Sequence, residues 1–224
     1  ILSPVLTNAA GHVLVASVVS APAAVLLARI IIPEKPGEGG ENANYSSALK
    51  YDSAIDAIVK GTADGLMVVL NISAVLITFV AFVALVNVIL GNFWLGGEAL
   101  SVERILGVLF APVAWLTGVQ WSEASQAGWL LGVKLTLTEF VAFIELGKVA
   151  PEAMSERTRM LMTYALCGFA NIGSVGITVT GLSVLLPERR QEVLGLVWKA
   201  LLGGFLATLM TACVVGALPA SIFA

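Results

Sequence analysis

The chain has 224 residues and a formal net charge of −3. Its hydrophobic fraction is 58% and charged side chains make up only 12%, against about 25% in soluble domains, with a mean hydropathy of +0.94 and a pI near 5.2. Those values exclude an ordinary water-soluble domain and a basic nucleic-acid-binding surface, so the expected surroundings are a lipid bilayer.

Ile1 is not preceded by a start methionine or a charged n-region, so no signal peptide is expected and the chain reads as the later part of something longer. Residues 1–28 carry no Asp, Glu, Lys or Arg. Residues 1–32 are read as the end of a preceding helix or loop followed by a membrane span over 12–32, kinked at Pro22. The Pro-, Gly- and Glu-rich stretch 33–47 reads as a polar linker that cannot bury enough apolar surface to order itself. Residues 52–64 place Ile55, Ile58 and Val59 opposite Asp52, Asp56, Lys60 and Asp64. This pattern fits an amphipathic helix lying at the interface or the start of the next span.

Between Asp64 and Glu98 there are 33 residues without a charge, so 65–97 predicts a transmembrane helix. Residues 102–122 contain a second uncharged run with Pro112 inside it, expected to form a bent membrane helix. Over 123–147 the helical segments 123–137 and 139–145 are each too short to cross. A turn at Leu137-Thr138-Glu139 between them predicts a re-entrant hairpin. Irregular backbone at membrane depth is tolerated only against protein or a wet cavity. Residues 155–187 predict one discontinuous transmembrane helix, interrupted by CGFANIGS, and 191–220 predict the last span. The fold class is therefore an all-α polytopic membrane protein.

The chemistry sits at the two irregular places. Glu139 puts a carboxylate at the hairpin tip, and Asn171 and Ser174 stand at the helix break. Ionisable groups in hydrocarbon are expensive and persist where they face a cavity, partner or substrate. Broken helices near the bilayer middle point to a transporter's binding site. A carboxylate, an amide and a hydroxyl suit a neutral polyol or amide ligand better than an anion. Phe169 offers an apolar face beside them. The bland alternative is that Glu139 pairs with Lys134 and only staples the hairpin.

His12 is the only histidine, and Cys167 and Cys213 lack metal-ligand spacing, so no metal site is expected. No Walker loop, GxSxG elbow or zinc motif occurs, and Gly37-Glu38-Gly39 sits in the linker with no strand before it. Neither an enzyme nor an organic cofactor is expected.

The segments GVKLTLTEFVAF, YALCGFANIGSVGI and LLPERR resemble the C-terminal half of the concentrative nucleoside transporter family, bacterial members included. That family carries a G-x-K-x-x-x-NEFVAY hairpin and a discontinuous helix with ALCGFAN-x-x-S-x-G-I. The likeness extends to HVLVASVVSAPAAVLLARIIIPE, to the GxxDGL…LN segment around Gly65–Asn71 and to LFAPVAWLTGVQWSEA, covering nearly the whole chain. The resemblance implies half of an inverted-repeat transporter: a nucleoside symporter driven by a Na+ or H+ gradient, working as an elevator, homotrimeric, and multi-pass in the cell inner membrane. It also implies that Glu139, Asn171 and Ser174 bind the ribose, with Phe169 beside them.

Two positions depart from the family pattern: Thr138 stands in place of Asn at the hairpin tip, and Phe143 in place of Tyr. No Gln-Thr-Glu tip, the mark of the family's N-terminal half, is found in this sequence. By the resemblance that half contacts the nucleobase and holds the coupling-ion site. The runner-up reading is a gated channel or pore subunit with a re-entrant selectivity hairpin, and a nucleoside-binding receptor is third.

Overall fold

The computed structural model describes residues 8–34, 51–95 and 97–219. Most of the expected linker, including Gly37-Glu38-Gly39, lies outside the described residues. Eight α-helices are described: α1 Ala9–Ile31, α2 Ala54–Leu90, α3 Val102–Leu116, α4 Trp121–Thr136, α5 Glu139–Lys148, α6 Glu156–Leu166, α7 Ile172–Leu185 and α8 Arg190–Ala217. One exception to the all-helical expectation lies between α2 and α3. There β1 Trp94–Leu95 pairs antiparallel with β2 Glu98–Ala99 and closes a small loop.

Polar residues start most of these helices for a local reason. The first amides of a helix have no intrahelical acceptor. The side chains of Ser53, Ser101, Thr138, Ser155 and Asn171 each accept a hydrogen bond from the amide three residues on. These caps set where each helix enters, and so where the turns fall.

Among the described residues, three helices are long and apolar enough to cross a membrane: Ala9–Ile31, Ala54–Leu90 and Pro187–Ala217. Of the most apolar window, only 11% is buried within the chain in the first and 6% in the second. Leu14, Val18, Ile77, Phe82 and Val88 stand exposed on them. Large apolar faces of this extent belong against lipid or another membrane helix, not water.

Of the two readings of residues 52–64, the one seen is the start of the next span rather than a separate interfacial helix. Helix α2 runs unbroken for 37 residues, about 55 Å at 1.5 Å per residue. No proline lies inside it, and Gly61 and Gly65 weaken a helix without ending it. The expected single bent helix over 102–122 is also replaced. Helix α3 continues through Pro112 but ends at Leu116, and Gly118 turns the chain at φ +101°. Helix α4 then returns antiparallel along α3.

Glycines let these two backbones touch. A Cβ at Gly132 would stand 2.7 Å from the Glu103 carbonyl oxygen, and one at Gly128 would stand 2.6 Å from the Ala111 amide. Beneath this pair lies the core. Leu130, Leu131, Ala142, Leu146, Leu161, Met162 and Leu166 from α4, α5 and α6 are almost fully buried, with Phe205, Leu209 and Ala212 of α8 closing it. Helix α8 also supports α1, and α7 lies against α2.

Polar links also tie elements together. Asn87 Nδ2 on α2 donates to both Glu103 carboxylate oxygens on α3, at 3.1 and 3.0 Å. Arg159 on α6 donates to the carbonyls of Val149, Ala150 and Met154 around the end of α5. Arg159 is itself buried inside α6. Helix α6 already starts at Glu156, where Ser155 caps it.

Candidate functional site

Two irregular places meet in space. The first is the turn between α4 and α5. Helix α4 ends at Thr136, and Leu137 adopts φ −103°, ψ −100°, outside the helical range. Thr138 then caps α5, its Oγ1 accepting from the Val141 amide at 3.2 Å. Glu139 is thereby the first residue of α5, where a carboxylate is favoured by the positive end of the helix.

The second place is the interruption between α6 and α7. CGFANIGS is read as the interruption, yet the second half-helix begins within it, at Ile172, because Asn171 is its cap. Asn171 Oδ1 accepts from the Ser174 amide at 2.7 Å, and Ser174 Oγ accepts from the Asn171 amide at 3.2 Å. This reciprocal arrangement satisfies two otherwise orphaned donors. Gly173 follows the cap closely; a Cβ there would sit 3.2 Å from Asn171 Oδ1.

A single side-chain hydrogen bond joins the two places. Asn171 Nδ2 donates to Glu139 Oε2 at 3.0 Å. Asn171 is 1% exposed and Ser174 5%, whereas Glu139 is half-buried. The remaining capacity can be counted. Asn171 has one amide hydrogen left. Ser174 has spent its hydroxyl hydrogen on the Asn171 carbonyl, at 2.6 Å. Glu139 keeps Oε1 and the second lone pair of Oε2. The cluster therefore presents acceptors chiefly on Glu139 and one donor on Asn171, which matches a ligand carrying neighbouring hydroxyls.

The structure brings Glu139, Asn171 and Ser174 together and places Thr138 at the hairpin turn. Phe169 lies in the interruption two residues before Asn171 and is 54% exposed, so its ring does not pack into the core.

The Lys134–Glu139 staple is not formed. Lys134 is fully buried. Its Nζ donates to the Ala165 carbonyl and to Thr208 Oγ1, each at 2.7 Å. Thr208 went unnoticed in the sequence because an isolated threonine in an apolar helix carries no pattern. His12 has its Nδ1 3.0 Å from the Tyr164 hydroxyl. Among the described residues no group of three His, Cys, Asp or Glu side chains could hold a metal ion.

A family model described as "Na+ dependent nucleoside transporter C-terminus" matches residues 12–216. The chain is 40% identical over 213 residues to the "Uncharacterized transporter YutK" of Bacillus subtilis, covering 92% of this chain and 52% of that protein. It is 38% identical over 211 residues to "Nucleoside permease NupC" of Helicobacter pylori, covering 92% and 50%. Among solved structures it is similar to CNTnw in an inward-facing substrate-bound state, with a TM-score of 0.71 at 39% identity, covering 92% of this chain and 50% of that one. The chain spans about half the length of the curated relatives it matches. Those relatives are described as a transporter and a permease, which lends no support to the channel reading.

Proposed function

The chain belongs to the Na+-dependent nucleoside transporter family, and from that premise we propose that it carries the sugar-binding part of a cation-coupled nucleoside symporter. In this reading the α4–α5 turn is the tip of a re-entrant hairpin, and α6 and α7 are the halves of one discontinuous membrane helix, within one half of an inverted-repeat protein. Glu139 accepts hydrogen bonds from the ribose hydroxyls. Asn171 uses its remaining amide hydrogen on the sugar and holds the carboxylate in place. Ser174 fixes the Asn171 rotamer and offers an oxygen. Phe169 lies against the ligand's apolar face. The hairpin and broken helix move as one body in an elevator-type cycle driven by Na+ or H+. The protein works as a homotrimer in the cell inner membrane.

The observation that carries the reading is the 3.0 Å hydrogen bond from Asn171 to Glu139. It joins the only intramembrane carboxylate of the hairpin turn to the cap of the interrupted helix and leaves most of the carboxylate's acceptor capacity unspent. A carboxylate spent on a structural ion pair would not be available in this way. Membrane vesicles containing the full-length gene product test it. Labelled nucleoside should accumulate only under an inward cation gradient and should exchange with unlabelled nucleoside on the opposite side. Gradient-independent flux without exchange would overturn the symporter reading.

A further inference from the structure

We infer that Lys134 is a positioning residue of the sugar site: it holds the interrupted helix from the end opposite Glu139, so that the two arms of the hairpin clamp both sides of the break. This rests on the sugar-site reading above. Helix α6 stops at Leu166, so its last carbonyls lose the amides that a continuous helix would supply. They form the negative end of a helix dipole inside apolar surroundings. The Ala165 carbonyl is one of these groups, and the Lys134 ammonium donates to it at 2.7 Å.

The same ammonium reaches a third helix. Thr208 Oγ1 on α8 accepts from Lys134 at 2.7 Å and donates to the Phe205 carbonyl at 2.8 Å. The ammonium also stands 5.4 Å from the centre of the Phe205 ring, within reach of a cation–π attraction. Thr208 touches the interruption directly as well. A Cβ at Gly168 would collide with the Thr208 methyl, and one at Gly204 would lie 3.5 Å from Ala170 Cβ. The break is thus pressed against α8 at residues 168 and 170 and fastened there through Lys134.

On the other arm, Glu139 meets Asn171, the cap of α7. A cation therefore sits on the carbonyl end of the first half-helix and an anion meets the amide end of the second. Both are carried on one hairpin, five positions apart across its turn. Each charge complements the dipole end it faces. Loosening the cation should let the Ala165–Asn171 segment drift relative to Glu139, and a small misplacement of a binding group costs far more than its distance suggests.

The test uses the full-length gene product in membrane vesicles, with uptake of a nucleoside resolved into KM and Vmax. Lys134→Met keeps the apolar stem and removes the donor. Its nucleoside KM should rise on the order of tenfold, as expected for a lost charged hydrogen bond, while inhibition by the free nucleobase changes less than about twofold. Thr208→Val should raise the KM in the same direction by a smaller factor. Thr208→Ser, which keeps the hydroxyl, should restore the parent value and decides the matter if Lys134→Met fails to reach the membrane. Glu139→Gln runs alongside. If Glu139→Gln weakens nucleoside binding but the Lys134 and Thr208 variants lower only Vmax and the amount inserted, the inference is overturned and the sugar site stands. If Glu139→Gln leaves nucleoside binding intact, the sugar site itself fails and this inference with it.

Discussion

Replacing Glu139 by Gln probes the site with almost no change in shape. In the parent, Oε2 accepts from Asn171 Nδ2 at 3.0 Å and Oε1 remains for the ligand. An amide must choose. Only its oxygen can accept from Asn171, so its NH2 then points where the sugar hydroxyls expect an acceptor. The opposite rotamer sets two donors against each other at Asn171. Either way two charge-assisted bonds, each contributing about 1.5–3 kcal/mol, give way to neutral ones of about 0.5–1.5 kcal/mol. The difference is about 1–1.5 kcal/mol per bond, or about 2–3 kcal/mol in all, which is roughly 30- to 150-fold in affinity. Competition binding on the detergent-solubilised full-length protein measures it, using a nucleoside, its 2′,3′-dideoxy analogue and the free base. The dideoxy analogue and the base should bind the parent weakly and change little in the variant. Equal losses for all three ligands, or an unchanged nucleoside affinity, would refute the ribose-acceptor role.

Other expectations follow from neighbouring contacts. Thr138→Ala removes the cap of α5 and should cost about 1 kcal/mol, seen as a lower melting temperature and weaker uptake. Thr138→Asn, an equally good cap, should be tolerated, and parent behaviour in both would make the side chain idle. Asn87→Leu leaves the buried Glu103 carboxylate without its amide partner. It should destabilise by about 1.5–3 kcal/mol, as for a lost hydrogen bond to a charged group, measured as a drop in thermal stability in detergent. Gly132→Ala forces a Cβ against the Glu103 carbonyl oxygen and should separate α3 from α4 at a cost of about 1–3 kcal/mol, typical of overpacking. Detergent-corrected mass measurements on the full-length protein should give a trimer, and a monomer alone would contradict that expectation.

Much of the fold was legible because its signals are strong and local. Long uncharged runs mark α1, α2 and α8, and the paired interruptions at Thr138 and Asn171 follow from cap residues inside apolar sequence. The boundaries that shifted did so for equally local reasons. Asn171 is a cap rather than a mid-break residue, so α7 starts early. Gly118 reverses the chain, so the helix expected to run bent to residue 122 ends at Leu116. Gly61 and Gly65 are helix-weakening residues that a long apolar helix carries without breaking. The meeting of Glu139 with Asn171 followed from their chemistry and the resemblance together. The true partners of Lys134 did not, because they are a backbone carbonyl and a threonine 74 residues away. Sequence spacing instead favours the nearby carboxylate, yet a lysine five residues from Glu139 had a stronger use across the core.

The most direct measurement is a structure of the full-length protein with a nucleoside bound. Both ribose hydroxyl oxygens are expected within about 2.5–2.7 Å of the Glu139 carboxylate, the range for charge-assisted O–H bonds, with Asn171 Nδ2 on the sugar side and Lys134 still on Ala165 and Thr208. A nucleoside whose base, not its ribose, occupies the Glu139–Asn171 cluster, or whose sugar lies elsewhere, would contradict it.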